Sequence, residues 1–266
     1  CVPNFSEGKD QNFIDNIRTL VNNTENVKLL DIDPGKDTNR TVVTFIGLPN
    51  DVINVAYKLI EFASSYINME NHKGEHPRMG ATDVCPLIPL QNISMAECIE
   101  LSKSLANKVG SKLNIPVFLY EKSSTSKYRS NLSDIRSGEY EGMKQKLNDK
   151  KWIPDYGPSE LNIKSGVTAI GAREFLIAYN INLNTTDKKI ATDIALDIRE
   201  AGRLKRDKNS NIIRDKNGVG IKKPGKLKFC KAVGWYIEEY KQAQVSINLI
   251  NYKVTSLHKT FEEVRL

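Results

Sequence analysis

Two of the three histidines in this 266-residue chain, His72 and His76, lie four residues apart in one short polar segment. Segment 71–80 also contains two cations, one carboxylate, two glycines and one proline. Imidazole gives and takes a proton near neutral pH without any perturbation of its pKa. Because a polar loop between a helix and a buried strand can present side chains to a cleft, His76 is a candidate acid–base group.

Three interpretations of this segment remain open at the level of sequence. It could be a surface loop whose histidines are solvated and do no chemistry. It could hold a metal, because two histidines four residues apart lie on one face of a helix. However, Gly74 and Pro77 disfavour a helix there, and no third ligand has convincing spacing, so we predict no metal site. The third interpretation is an acid–base histidine.

Two further features could bind a substrate. Asp33 and Arg40 stand at the ends of two neighbouring predicted strands, where Arg40 could clamp a substrate carboxylate through two hydrogen bonds. A structural salt bridge across the turn is an equally good interpretation of that pair. Segment 157–166 is bounded by glycines and would either line a ligand cleft or act as a plain linker.

The elements that must position these residues follow from apolar periodicity and capping signals. In the first half the order is strand, helix, strand, strand, helix, strand, which is the split βαβ arrangement, followed by one more helix and strand. Asn50 is the predicted cap of the second helix, and Ser94 with Glu97 forms a capping box for the third. The predicted strands are 2–5, 27–32, 41–46, 84–90 and 115–120, and the predicted helices are 11–23, 51–67 and 94–114.

The second half repeats the order strand, helix, strand, strand, helix. Strand signals fill 167–183, a helix covers 187–202, strands cover 233–237 and 244–252, and a last helix starts near residue 255. This predicts an internal duplication and an α/β (α+β) fold with domains 1–156 and 157–266. We expect segment 128–156 to be the linker, and the second domain to lack its last strand and helix.

Composition and charge exclude several classes of protein. The longest strongly apolar stretch, Val84 to Leu90, is too short to cross a membrane. Eleven Lys or Arg against two Asp within 203–231 give a local balance of +9, so the remainder carries −2 of the total of +7. A single basic segment with few aromatic residues suits a small polyanion better than nucleic acid. The four cysteines show no CxxC spacing, which favours free thiols and a cytoplasmic protein.

Nucleotide-binding and hydrolase motifs are missing from the sequence: it has no P-loop, no GxGxxG and no GxSxG. Other stretches resemble the formiminotransferase family from end to end and in the same order. The matching stretches are Cys1–Gly8, Thr38–Thr41, His72–Ala81, Asp83–Pro86, Ile135–Tyr140, Gly171–Arg173, Gly234–Tyr236 and Ala243–Leu249.

The resemblance implies two ferredoxin-like (split βαβ) subdomains with their sheets facing a central cleft and helices outside, in a homodimer. It implies transfer of a formimino group from N-formimino-L-glutamate to N5 of tetrahydrofolate in histidine degradation, with no metal. The resemblance makes His76 catalytic and places Asp33 near the site, where Arg40 remains the candidate for a substrate carboxylate. The implied folate-binding residues are Gly157, Pro158, Ser159, Glu160, Leu161, Asn162, Ile163, Lys164, Ser165, Gly166 and Gly225.

Alternatives to that activity remain. An enzyme of the same fold could use formiminoglycine as its donor, or act on N-formylglutamate and 5-formyltetrahydrofolate. A folate carrier without turnover and a nucleic-acid-binding protein belong to different functional classes, and an assay of formimino transfer separates them from the enzyme. The cyclodeaminase portion found in some relatives has no counterpart in this sequence, so coupled deamination is not expected.

Overall fold

The computed structural model describes residues 1–265. It divides into two compact units, the first ending at Arg173 and the second beginning at Glu174. Helices and strands alternate in both units, which confirms the predicted α+β class. Within residues 1–265, no helix combines the length and the apolar character needed to span a bilayer.

The first unit is built on a six-stranded sheet. Its strands are β1 (Asn4–Phe5), β2 (Val27–Gly35), β3 (Arg40–Gly47), β4 (Thr82–Leu87), β5 (Val117–Glu121) and β6 (Thr168–Ala172). The order across the sheet is β2-β3-β1-β4-β6-β5. The pairs among β1 to β4 are antiparallel, as in the predicted split βαβ arrangement, whereas β6 runs parallel to both β4 and β5.

Helices cover both faces of this sheet. Three long helices share one core with the strands, and two short ones pack in a second core: α1 (Gln11–Asn22), α2 (Pro49–Tyr66) and α3 (Met95–Leu113), then α4 (Leu132–Arg136) and α5 (Glu139–Leu147). Successive residues of β5 alternate between the two cores, Val117 and Leu119 facing the first, Phe118 and Tyr120 the second.

The second unit repeats part of this plan. It contains β7 (Ile177–Asn182), α6 (Lys188–Ile198), β8 (Arg203–Leu204), β9 (Lys222–Lys223), β10 (Cys230–Ile237), β11 (Gln242–Leu249) and α7 (Leu257–Arg265). The order β10-β11-β7, all antiparallel, corresponds to β2-β3-β1 of the first unit, so the predicted duplication is visible in the strand order. The short β8–β9 pair lies within the basic segment.

The predicted linker is the main error in this part of the sequence analysis. Segment 128–156 contains α4 and α5, whose residues Ile135, Met143 and Leu147 are buried in the second core of the first unit. The boundary between the two units along the chain also lies after Arg173, instead of between residues 156 and 157. The reason is that β6, which the sequence analysis assigned to the second half, hydrogen-bonds between β4 and β5.

Helix ends agree with the sequence in one case and differ in another. The capping box of α3 is present as predicted, with the Ser94 hydroxyl accepting from the Glu97 amide and the Glu97 carboxylate accepting from the Ser94 amide. By contrast, α2 is preceded by Leu48 at the cap position and starts at Pro49, so the predicted cap at Asn50 is wrong. Proline suits the first helical position because it has no amide hydrogen there to leave unpaired.

We predict that Ser94→Ala lowers the free energy of unfolding by about 1 kcal/mol, because the Glu97 amide at the start of α3 loses its side-chain acceptor. Urea denaturation measures this change. Ser111→Ala, at an exposed position of the same helix, is the control and should change stability by less than about 0.5 kcal/mol. Equal effects of the two substitutions would contradict the role of the cap.

Candidate active site

The loop that carries His76 joins α2 to β4 and is fastened to the turn between β2 and β3. The Asn39 side chain donates to the Lys73 carbonyl at 2.8 Å and accepts from the Gly8 amide at 3.1 Å. Gly74 approaches the same turn so closely that a Cβ there would lie 2.3 Å from the Thr38 carbonyl oxygen. Segments 1–8, 38–41 and 72–81 therefore lie together, because the Asn39 side chain hydrogen-bonds to both Gly8 and Lys73.

His72 is a structural residue of this loop. Arg78 Nε donates to His72 Nδ1 at 3.2 Å, so the ring hydrogen is on Nε2, which donates to the Asn39 carbonyl at 2.9 Å. Burial lowers the pKa of His72 and favours this neutral form. Both ring nitrogens are engaged by the protein, so His72 has no nitrogen left to share a metal with His76.

Arg78 anchors the loop to α5. Its guanidinium donates to Glu139 at 2.9 Å and to Glu141 at 2.6 Å, and it also donates to the His72 carbonyl at 3.1 Å. The guanidinium side chain is buried whereas both carboxylates are partly exposed. Hydrogen bonds at both ends of the segment thus restrict the loop between His72 and Arg78, and His76 lies within that restrained span.

His76 itself is half-buried and lies among three charged groups from three different elements. Burial lowers the pKa of His76 to about 3, and the cations Arg40 on β3 and Arg136 on α4 act in the same direction, while Asp83 on β4 opposes them. The imidazole is therefore neutral at neutral pH.

Asp83 and Arg136 form a buried ion pair beside this histidine. Arg136 Nη2 donates to one carboxylate oxygen at 2.5 Å and Arg136 Nε to the other at 3.3 Å. Asp83 is 2% exposed and also accepts from the Met79 amide at 3.0 Å. An ion pair with additional hydrogen bonds is a form in which buried charges are stable, so Arg136 is held in one orientation.

Arg40 has spare hydrogen-bonding capacity. Arg40 Nη2 donates to the Asn4 side chain, and within residues 1–265 no acceptor contacts its buried Nε. Burial and the nearby Arg136 lower the pKa of Arg40 to about 10, so the group stays charged at neutral pH. Asp33 is exposed and raises that pKa through its charge, but the salt bridge across the turn is not formed between these two residues. A buried guanidinium of this kind suits a ligand carboxylate.

Segment 157–166 is part of the first unit and packs against the end of the His76 loop. The Ala81 amide donates to the Ser165 carbonyl at 2.8 Å, and the Val167 amide donates to the Met79 carbonyl at 3.0 Å. Gly166 has φ +70°, and a Cβ there would lie 2.3 Å from that Met79 carbonyl oxygen. The segment therefore packs against the residues that directly precede β4 and is not a free linker. Its exposed residues are Gly157, Ser159, Glu160, Ile163 and Lys164.

Gly225 lies in the second unit, where its own surroundings require glycine. A Cβ at this position would lie 2.1 Å from the Arg199 carbonyl oxygen, just after α6. The close approach of two backbone segments accounts for glycine here, whether or not a ligand also contacts it.

Sequence reasoning missed three residues of this cluster: Asn4, Asp83 and Arg136. All three lie inside stretches that carry the family resemblance, and that was the only signal available. Nothing in their spacing along the chain indicates that β1, β4 and α4 bring them to one histidine.

Two family models together match nearly the whole chain. The model described as "Formiminotransferase domain, N-terminal subdomain" matches residues 1–173, and "Formiminotransferase domain" matches residues 178–266. The chain belongs to the formiminotransferase family. The limits of the two matches agree with the division into structural units after Arg173.

Similar proteins within this family are of two kinds. The chain is 48% identical to the formimidoyltransferase-cyclodeaminase of Dictyostelium discoideum over 99% of this chain and 46% of that protein. It is 41% identical to the glutamate formimidoyltransferase of Streptococcus pyogenes serotype M1, and 38% identical to that of Thermoplasma acidophilum, in both cases over 100% of this chain and 81% of the relative. The chain thus spans less than half the length of the bifunctional relatives.

The charges around His76 in this formiminotransferase-family chain lead to a direct prediction. Because the Arg40 cation lowers the pKa of His76 and Asp83 raises it, Arg40→Met should raise this pKa and Asp83→Asn should lower it. Titration of the imidazole C–H resonances by NMR measures both shifts, with the exposed His258 as internal reference. An unchanged pKa in both variants would show that burial alone determines it.

Proposed function

We propose that this chain transfers the formimino group of N-formimino-L-glutamate to N5 of tetrahydrofolate, giving 5-formiminotetrahydrofolate and L-glutamate. The observation that carries the proposal is a neutral, half-buried His76 flanked by the guanidinium groups of Arg40 and Arg136. This arrangement combines a base for an amine with cations for an anionic substrate. The names of the relatives support formimino chemistry.

The reaction needs one group that can move a proton between two nitrogens. N5 of tetrahydrofolate attacks the formimino carbon, a new C–N bond forms, and His76 takes the proton that N5 loses. The tetrahedral adduct then expels the glutamate nitrogen, a poor leaving group unless it is protonated, and His76 returns the proton to it. Acid–base help of this kind contributes typically about 10²–10⁴-fold in rate.

The charged neighbours of His76 favour each half of that cycle in turn. Asp83 favours the first half, because its charge stabilises the imidazolium as it forms, and the two guanidinium groups favour the second half, because they lower the affinity of His76 for the proton and so promote its return. A donor carboxylate bound by Arg40 would offset part of the positive field and make protonation of His76 easier in the complex. Holding two substrates together contributes up to about 7–11 kcal/mol in ideal cases, more than the proton transfer itself.

Tetrahydrofolate enters this proposal as a co-substrate, and no step requires a metal. Segment 157–166 is the proposed folate-binding loop, with Gly225 as a further folate contact and Asp33 with Arg40 on the donor side. What supports the loop assignment is its docking against Met79 and Ala81, immediately after His76, with Gly157, Ser159 and Glu160 left exposed. Backbone next to glycine can approach a flat heterocycle closely.

The cellular setting of the proposal is histidine degradation in the cytoplasm, by a homodimer. Three of the four cysteines are buried as free thiols, which is compatible with a reducing compartment. Formiminoglycine as donor, or N-formylglutamate with 5-formyltetrahydrofolate chemistry, is the alternative within the same fold. The two relatives named glutamate formimidoyltransferase favour the glutamate donor.

His76→Ala should lower the rate of formimino transfer by about 10²–10⁴-fold while leaving tetrahydrofolate affinity within a few fold, because the substitution removes the proton carrier and no folate contact. Product absorbance measures transfer, and fluorescence titration measures affinity. His258→Ala, at an exposed position in the second unit, is the control and should retain activity. Equal losses of transfer and affinity would make His76 a binding residue.

A panel of donors tests the substrate part of the proposal. With tetrahydrofolate present, the wild-type chain should form product from N-formimino-L-glutamate at a higher kcat/KM than from formiminoglycine or N-formylglutamate. Absence of transfer from every donor, with tetrahydrofolate still bound, would identify a carrier and overturn the proposed activity.

The basic segment 203–231 should attract the anionic tail of a polyglutamylated folate. Since exposed charges are screened by salt, raising ionic strength should increase the KM for the polyglutamylated substrate more than the KM for the monoglutamate form. Steady-state kinetics at low and high salt measure the two values. An unchanged KM for the polyglutamylated form would exclude this role.

A further inference from the structure

Helix α4 is too short to hold its own geometry. It spans five residues, Leu132–Arg136, and its cap residue Asn131 makes no side-chain capping hydrogen bond. Isolated helices of fewer than about 12–15 residues are marginal in water, and the last carbonyls of any helix lack partners within it. The end of α4 therefore depends on contacts from elsewhere, and this end carries Arg136.

One side chain supplies those contacts. Lys146 Nζ on α5 donates to the carbonyls of Asp134 at 2.6 Å, Ile135 at 2.6 Å and Ser137 at 2.9 Å. A cation at the C-terminal end of a helix is also favoured by the helix dipole. The three bonds together use the full donor capacity of one ammonium group, and they satisfy two of the last carbonyls of α4 and the carbonyl of the residue that follows it.

Lys146 is itself fixed by packing. Its Nζ lies 4.0 Å from the centroid of the Trp152 ring, and neighbours Met143 and Leu147 on α5 are buried with Ile135 of α4. Burial lowers the pKa of Lys146 to about 8, with the charge of Asp134 acting in the opposite direction. The ammonium group is thus partly desolvated while it holds these hydrogen bonds.

Arg136 is the last residue of α4, the helix end that Lys146 caps. The Arg136 guanidinium is bonded to Asp83 on β4, and its charge acts on both His76 and Arg40. Two sets of contacts therefore fix the position of this guanidinium. Asp83 binds the guanidinium itself, and Lys146 binds backbone carbonyls on either side of Arg136.

We propose that Lys146 is a positioning residue for the transfer reaction and acts through Arg136, which it keeps against Asp83 and beside His76. This inference rests on the proposed function, because it assigns Arg136 a role beside His76 in that site. Without the ammonium group the end of α4 shifts or frays, and the Arg136 guanidinium moves with it. Misplacement by about 1 Å at a reacting centre can lower a rate by about 10²-fold.

Three single variants test the effect of Lys146 on activity. Lys146→Met should lower kcat/KM for the donor by about 10–100-fold, with the KM for tetrahydrofolate within about twofold, since the change reaches the site only through Arg136. Lys146→Arg keeps a positive charge and N–H donors near these carbonyls, although in a planar group, and should be at least about threefold more active than Lys146→Met. Lys144→Met, on the exposed face of the same helix, is the matched control and should be unchanged.

A double-mutant cycle separates positioning from a merely structural role. In an Arg136→Gln background, adding Lys146→Met should change kcat/KM by less than about twofold, because the residue through which Lys146 acts has already been removed. Independent, multiplying effects of the two substitutions would overturn the proposal. A lower melting temperature of Lys146→Met with full activity of the folded protein would overturn it as well.

Failure of this inference is distinguishable from failure of the proposed function. The wild-type protein is assayed first for formimino transfer, and no transfer means that the function itself is wrong. Transfer by wild type, with Lys146→Met and Lys146→Arg equally active, refutes only the role of Lys146.

Discussion

The buried ion pair between Asp83 and Arg136 is the interaction on which the candidate site depends. It joins the centre of the first sheet to the short helix α4 on its second face, and it lies beside the histidine. Breaking a buried pair by removing one partner is strongly destabilising because the remaining charge is left uncompensated. The Met79 amide adds a hydrogen bond to Asp83, so the same carboxylate also holds the backbone at the end of the His76 loop.

Two histidines of the same loop, His72 and His76, lie in different electrostatic surroundings. Both ring nitrogens of His72 are hydrogen-bonded within the loop and its surroundings, and the pKa of His76 is lowered by burial and by two guanidinium groups and raised by one carboxylate. Both are histidines of the loop between α2 and β4, so residue type alone does not distinguish them. The two histidines of one loop therefore differ in the charges that β3, β4 and α4 bring near them.

Local patterns in the sequence predicted much of the fold. Apolar periodicity located the long helices, and the Ser94–Glu97 capping box was correct because it is made within four consecutive residues. The errors arose where distant contacts decide the outcome. Segment 128–156 has the composition of a linker, yet Ile135 and Met143 are buried against β5, and β6 joins a sheet whose neighbouring strands are far away in sequence.

The candidate site was predictable to a similar extent. His76 and Arg40 stand out by residue type, and the turn-forming glycines mark the loops that hold them. Arg136 does not stand out, because its importance comes from Asp83, which lies on another element and more than one helix away along the chain. Only the folded arrangement shows that the two belong to one cluster.

The position of β6 has a consequence for how this molecule can be dissected. Since β6 fills the gap between β4 and β5, a fragment that stopped at residue 156 would leave a slit through the sheet and two open strand edges, a form prone to aggregation. A fragment ending at Arg173 keeps the sheet continuous. The border for expressing either half alone therefore follows the hydrogen-bonded strands and not the glycine-bounded segment 157–166.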